Sequence, residues 1–108
     1  MALSRDNSVA TATASTTQTQ VGGTVLNADI NLVTTANASD ACTLPANLPK
    51  GTIVTIVNLS ANAGLLFPAS GGAGNGGSAN ASVAIAASKT VTVYMTDNSG
   101  NFRTATSA

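Results

Sequence analysis

The sequence has no histidine, no glutamate and no tryptophan, and only 7% of its residues are charged. General acid–base catalysis usually relies on His, Glu or Asp, and the four acids, Asp6, Asp29, Asp40 and Asp97, show no paired spacing. Neither Cys42 nor any serine has a histidine that could activate it as a nucleophile. The sequence therefore predicts that the protein is not an enzyme.

A single cysteine, Cys42, excludes an intrachain disulfide. A structural zinc site needs several Cys or His ligands, which this chain cannot supply. We therefore expect no metal and no cofactor. A lone thiol is typical of a protein made in a reducing compartment, and its bland role is that of a small buried apolar side chain.

Positive charge is scarce and dispersed. The four basic residues, Arg5, Lys50, Lys89 and Arg103, are scattered along the chain, and the formal net charge is zero. Nucleic-acid binding needs clustered Lys and Arg, so we expect no nucleic-acid partner. No apolar run approaches the ~18 residues of a membrane helix, and the N-terminal MALSRDNSVA has no apolar segment typical of a secretory signal. We expect no membrane partner.

Large side chains for a core are few as well. Aromatic residues make up 3% of the 108 residues, and much of the 44% hydrophobic content is alanine. A chain of this length forms one domain with one modest core. Small domains with thin cores often rely on disulfides, metals or partner subunits. Since few charges would repel a neighbouring copy, the sequence predicts self-association.

The residues that are present alternate in short segments. In Lys89–Thr96, apolar side chains alternate with Thr and Tyr, as in a strand with one buried face. Residues 51–58, GTIVTIVN, are apolar on both faces, which is typical of a central strand. Turns rich in Gly, Asn and Pro separate such segments. The pattern predicts an all-β fold, a small antiparallel β-sandwich or barrel of about seven to eight short strands.

The N-terminal part has a different composition. Ser8–Gln20 is low in complexity, alternates small and polar residues, and holds almost nothing large to bury. We therefore predict an extended N-terminal arm over residues 1–23 and a β-sandwich domain over residues 24–108. Because Thr favours extended backbone, a frayed edge strand is the alternative.

A glycine motif invites a nucleotide-binding interpretation. Gly72, Gly74 and Gly77 match G-x-G-x-x-G, with Asp97 downstream. That pattern holds a pyrophosphate at the N-terminus of a helix, whereas the residues after Gly77 alternate as a strand does. We interpret Ser70–Gly77 as a loop.

Three segments from residue 29 onward resemble a β-rich module of virion proteins from tailed bacteriophages. They are DINLVTTANASDACTLP, GTIVTIVNLSANAGLLFPASG and NGGSANASVAIAASKTVTVYMT. The recurring features are a strand before an xLP segment, a G-T-x-V-T-x-x-N strand, an apolar piece ending in Pro-Ala-Ser-Gly, and a closing strand. A free-standing chain of this length is most similar to a capsid decoration, or cement, protein.

The resemblance implies a viral structural protein that decorates and stabilises a phage capsid by bridging capsomers. Its partners would be the major capsid protein and copies of itself, commonly as a homotrimer. Its location would be the capsid surface of the virion, after synthesis in the host cytoplasm. Two alternatives are a tail or fibre component of the virion, and an ice- or surface-binding protein with a flat row of threonines.

Two groups of residues would make the contacts in a decoration protein. The capsid-binding arm would add as a strand or lie along the capsid through backbone hydrogen bonds. Its residues would be Val9, Thr11, Thr13, Thr17, Gln18 and Gln20. The subunit interface would be Leu65, Leu66 and Phe67, which place apolar side chains on both faces of one strand. A disordered tail and a strand buried in its own sandwich are the respective alternatives.

Overall fold

A computed structural model describes residues 8–108, and residues 1–7 of the predicted arm lie outside the described residues. Within 8–108 the chain forms nine strands and no helix, so this part holds no helix that could cross a membrane. The strands are β1 (Val9–Thr13), β2 (Thr24–Val25), β3 (Ile30–Thr34), β4 (Ala41–Thr43), β5 (Ile53–Asn58), β6 (Gly64–Phe67), β7 (Val83–Ile85), β8 (Thr90–Met95) and β9 (Phe102–Thr106).

The chain alternates between two sheets from β1 to β6. As a result, β1, β3 and β5 are neighbours in a five-stranded sheet, and β2, β4 and β6 are neighbours in a four-stranded sheet. All the pairings among these six strands are parallel. The chain therefore winds through three stacked coils, each with one strand in either sheet.

Antiparallel strands close one end of this stack. β8 pairs with β5, β9 pairs with β8, and β7 pairs with β6. The complete orders are β1-β3-β5-β8-β9 and β2-β4-β6-β7. At the other end, β1 and β2 are the outermost strands within residues 8–108.

The predicted antiparallel sandwich or barrel of seven to eight strands is wrong. Both sheets are mixed, nine strands occur in the described residues, and neither sheet closes into a barrel. The error has a physical cause. Connections such as 35–40 and 44–52 are longer than tight hairpin turns, and each carries the chain across to the other sheet. A strand that returns to its own sheet after such a crossing can run parallel to its predecessor.

The predicted extended arm is also corrected. Val9–Thr13 is a strand, hydrogen-bonded to β3 at the edge of the five-stranded sheet. The predicted boundary at residue 23 falls in the connection between β1 and β2. The radius of gyration is 12.8 Å, close to the ~13 Å typical of a compact domain of this length. The first coil is therefore part of the packed body.

The core lies between the two sheets, where alternate side chains of each strand point inward. Its buried members are Ala14, Leu26, Val33, Cys42, Leu44, Val54, Ile56, Leu66, Ile85, Val91, Val93, Met95 and Phe102. Burying one Val, Leu or Ile side chain contributes about 1.5–3 kcal/mol. Phe102 is the only aromatic member, so the core depends mainly on aliphatic side chains.

Equivalent positions of successive coils stack on one another. Leu26, Leu44 and Pro68 each follow the four-stranded-sheet strand of their coil, and all are buried. The amide of Leu26 donates to the carbonyl of Thr43 (3.1 Å), and the amide of Leu44 donates to that of Phe67 (3.0 Å). The coils thus continue as a ladder beyond the ends of β2, β4 and β6.

Two buried asparagines satisfy the backbone of the connections. Asn31 Nδ2 donates to the carbonyl of Ala28 (2.9 Å), and its Oδ1 accepts from the amide of the same residue (3.3 Å). Asn58 Nδ2 donates to the carbonyl of Asn62 (2.9 Å), and its Oδ1 accepts from the amide of Ser60 (3.0 Å). No buried side-chain polar atom in the described residues lacks a partner, as a packed interior requires.

Candidate functional site

The side of the five-stranded sheet that faces away from the core is a candidate interaction surface. None of its side chains is buried. We call this set the outer face. It consists of Val9, Thr11, Thr13, Ile30, Leu32, Thr34, Ile53, Thr55, Val57, Thr90, Thr92, Tyr94, Arg103 and Ala105.

The strand register makes the outer face continuous. One row crosses all five strands through Val9, Ile30, Thr55, Thr92 and Ala105. Directly opposed residues on the same side of a sheet have Cβ atoms about 4.5–5.5 Å apart. The side chains therefore form a contiguous surface rather than isolated exposed residues.

Threonine and aliphatic side chains make up most of the outer face. Val9, Ile53 and Tyr94 are 59%, 49% and 42% exposed, and they add large apolar area to this continuous surface. Arg103, paired with Tyr94, is the only charged member. A contiguous, nearly uncharged surface with exposed aliphatic and aromatic side chains is typical of a protein–protein contact.

The threonines of the outer face do not form a regular array. Thr13 lies opposite Thr34, and Thr55 lies opposite Thr92. Elsewhere on the face threonines are opposed by aliphatic side chains, as Thr11 is by Leu32. The flat threonine row required by the ice-binding alternative is not present on this face.

Half of the predicted capsid-binding residues belong to the outer face. Val9, Thr11 and Thr13 are the outward-pointing side chains of β1, and all three are exposed. They lie at the edge of the five-stranded sheet, beside Ile30, Leu32 and Thr34 of β3.

The other half lies elsewhere, in the connection between β1 and β2. Thr17 and Gln18 are exposed, but the Gln18 side chain is engaged within the molecule. Its Nε2 donates to the carbonyl of Ala38 (3.0 Å) and to Asp40 Oδ1 (3.4 Å). Asp40 is fully buried, and its Oδ2 accepts from the amide of Asn37 (3.0 Å). Gln18 therefore serves as one of the few partners of a buried carboxyl group.

Gln20 fastens the same connection over the four-stranded sheet. Its Nε2 donates to the carbonyl of Pro68 (2.8 Å) and to Asn80 Oδ1 (3.1 Å). Its carbonyl accepts from the hydroxyl of Thr43 (2.8 Å), on the side of β4 that faces away from the core. The structure thus separates Gln18 and Gln20 from the three residues of β1, and the six do not form one surface.

The predicted subunit-interface residues divide between the two sides of β6. Leu66 is fully buried in the core, so its side chain is not available to a second subunit. Leu65 and Phe67 point outward and are half-buried. Phe67 lies beside Thr43 of β4, where the β1–β2 connection crosses the sheet.

Sequence analysis missed the central members of the outer face, such as Leu32, Thr55 and Thr92. The signal was present, because residues 51–58 are apolar on both sides and Lys89–Thr96 carries Thr and Tyr on its second side. β5 is indeed the middle strand of its sheet. Alternation alone does not show which side of such a strand remains uncovered.

The glycine motif forms a loop, as the sequence predicted. β7 follows it rather than a helix. Hydrogen bonds to Asp97 from the Asn101 side chain (2.7 Å) and the Ser99 amide (2.8 Å) hold the pKa of that carboxyl below its usual value. Asp97 thus closes the turn between β8 and β9.

In residues 8–108 no three His, Cys, Asp or Glu side chains cluster as a metal site would require.

Cys42 has the environment of an inert thiol. It is fully buried in the core. Burial, and to a smaller extent the nearby Asp40 carboxylate, raises the pKa of the Cys42 thiol to about 11. The reactive thiolate is therefore scarce at neutral pH.

No protein family, curated protein or solved structure matches this chain. The outer face is therefore the structural feature from which a function can be inferred.

Proposed function

We propose that this chain is a structural protein that decorates and stabilises a phage capsid, binding the major capsid protein through the outer face of the five-stranded sheet. The observation that carries the proposal is that this face is continuous and nearly uncharged, and that no element within residues 8–108 covers it. The role needs a compact body and a contact surface, and no reacting group. The resemblance of residues 29–96 to virion modules supplies the capsid as the partner.

Binding to capsids purified without this protein tests the proposal. We expect the purified chain to sediment with such capsids saturably. Ile53→Lys should weaken binding at least tenfold, because it places a charge that must be desolvated in the contact. Val21→Lys is the matched control, since Val21 is 96% exposed in the β1–β2 connection, away from the outer face. Absence of binding, or equal loss in both variants, would contradict the proposal.

A tail or fibre component is the second candidate, favoured by the stack of parallel coils. Coils that stack in one direction build elongated bodies, because each coil needs only its neighbours. Small-angle scattering distinguishes the two roles. Filaments that lengthen with concentration would favour a fibre, whereas a particle of fixed size would favour a decoration protein.

A further inference from the structure

The two edges of the five-stranded sheet differ in how their backbone groups are used. On β9, the amide of Phe102 donates to the carbonyl of Ala73 (3.0 Å), and its carbonyl accepts from the amide of Asn75 (2.9 Å). The amide of Thr104 donates to Asn75 Oδ1 (2.9 Å). The glycine-rich loop therefore covers the first part of this edge, at Phe102 and Thr104.

Among the described residues, 8–108, nothing covers the β1 edge. The carbonyl of Ser8 accepts from Ile30 (3.0 Å), and the amide of Ala14 donates to Thr34 (2.9 Å). Because successive residues of a strand alternate in direction, the even-numbered residues bond to β3. The odd-numbered residues of β1 then direct their amides and carbonyls away from β3. Within residues 8–108, one of these groups has a partner, the carbonyl of Thr13, which accepts from Thr24 Oγ1 (2.6 Å).

β1 also lacks the features that usually protect an edge. Val9–Thr13 contains no charged residue and no proline, whereas natural edge strands commonly carry charge, proline or a bulge. Beside it, at the open end of the core, lies a cavity of about 550 Å³ lined largely by small side chains such as Ala10, Ala12 and Ala28. An uncovered edge next to an open core end is a site for strand addition.

We infer that β1 pairs antiparallel with β1 of a second copy, about a two-fold axis at Thr11. In this register Thr11 lies opposite Thr11 of the second copy, and Val9 lies opposite Thr13. Each such pair can exchange two backbone hydrogen bonds, through the same odd-numbered groups that point away from β3. The Thr13 carbonyl already accepts from Thr24 Oγ1 and would accept the bond across the pair with its second lone pair. On the inner side, Ala10 and Ala12 oppose each other without steric conflict.

Charge favours the antiparallel arrangement over a parallel one. The carboxylate of Asp29 lies at one end of β1, where its Oδ2 accepts from the amide of Ser8 (3.0 Å). Antiparallel pairing places the two copies of Asp29 at opposite ends of the joined strands. A parallel pair would bring the two carboxylates to the same end, where they repel.

Pairing would enlarge the outer face, and this consequence rests on the proposed function. Five strands about 4.8 Å apart, each about five residues long at about 3.3 Å per residue, give one copy roughly 400 Å². A specific interface buries about 800 Å² per partner. Two copies joined at β1 present a ten-stranded sheet that reaches this value.

Thiol cross-linking tests the pairing. In Thr11→Cys, the two cysteines would flank the two-fold axis with Cα atoms about 5.5 Å apart, close enough for a short bifunctional thiol cross-linker to join them. The cross-linker should give a covalent dimer. Thr90→Cys is the control, because Thr90 lies on the same face but three strands from the edge, and it should remain a single chain. Native Cys42 is buried and should not react.

Thr11→Pro provides a second test that preserves the fold. The amide it removes points to the open edge, so the bonds between β1 and β3 remain. Light scattering should give twice the 10.5 kDa chain mass for the native protein and a single-chain mass for Thr11→Pro. The circular dichroism spectrum of the variant should be unchanged, which shows that the fold is kept. The variant should bind capsids roughly 100-fold more weakly, through lost bivalency.

The outcomes separate the pairing from the proposed function. A single-chain mass for the native protein, or a threefold mass without trapping at position 11, overturns the pairing whatever the capsid result. Trapping at position 11 together with no capsid binding would leave the pairing intact and reject the proposed function.

Discussion

At the scale of residues, polar side chains help to hold the first coil in place, in addition to its buried Ala14 and Leu26. Gln18 and Gln20 were expected to grip a capsid, yet both donate hydrogen bonds within the molecule. Both side chains therefore stabilise the fold. Sequence could not distinguish these roles, because the partners of Gln20, Pro68 and Asn80, are distant along the chain.

Gln20→Ala should therefore destabilise the protein. Removing its amide leaves the carbonyl of Pro68 and the side chain of Asn80 without that donor, which costs about 1 kcal/mol per bond. Urea unfolding should show a free energy of unfolding lower by about 1–2 kcal/mol. Thr17→Ala is the control, because no hydrogen bond from the Thr17 side chain occurs in the described residues. Equal stability of both variants would show that Gln20 is not a structural tie.

Cys42 should lower the free energy of unfolding at alkaline pH. Its pKa of about 11 in the folded state lies above that of the unfolded chain, so the folded state keeps the proton longer. The resulting stabilisation is complete below about pH 9 and is lost as the pH rises toward 11. Urea unfolding of the native protein should lose about 2–3 kcal/mol more over this range than Cys42→Ala. Identical pH dependence would contradict the assigned environment.

At the scale of elements, the glycine-rich loop acts as a cover for the β9 edge. Gly74 lies against the ring of Phe102, and a Cβ at position 74 would come 2.6 Å from that ring. Only a residue without a side chain allows the loop to approach this closely.

Gly74→Ala should lower the free energy of unfolding by about 1–3 kcal/mol, as overpacking does elsewhere. Gly77→Ala is the matched control in the same loop, where the nearest atom to a new Cβ is a carbonyl oxygen at 3.2 Å. Thermal unfolding of both variants provides the measurement. A larger loss for Gly77→Ala would refute the packing of the loop against Phe102.

The positions of the strands were largely predictable, whereas their pairing was not. Alternation located β8, and apolar character on both faces located β5. Neither pattern carries information on the neighbour, since strands of three to six residues fit many partners equally well. Leu26, Leu44 and Pro68 were a sign of the coils, but their unequal spacing hid the repeat.

At the scale of the whole molecule, residues 8–108 form a three-coil stack with one protected end, one open end and one uncovered face. The outer face could not be derived from sequence, because the two-sided apolar character of residues 51–58 is equally compatible with a second covering layer. The four-stranded sheet packs against one side of β5, and the other side of β5 stays exposed.

Capsid binding should depend little on salt. The outer face carries Arg103 as its single charge, so screening between about 0.05 M and 0.5 M salt has little to act on. We expect the dissociation constant from co-sedimentation to change less than about threefold over this range, with stronger binding at high salt if anything. A steep loss of affinity would point instead to a charged contact surface.

The most direct test of the contact surface is thiol labelling, on capsids, of a cysteine introduced at either of two positions, with native Cys42 buried and unreactive. Thr55→Cys lies in the middle of the outer face, and Ala84→Cys lies on the outward side of β7 in the other sheet. In solution both thiols should react with a maleimide. On capsids we expect Thr55→Cys to become protected while Ala84→Cys remains reactive. Protection of Ala84→Cys with continued labelling of Thr55→Cys would place the contact on the four-stranded sheet and contradict the account.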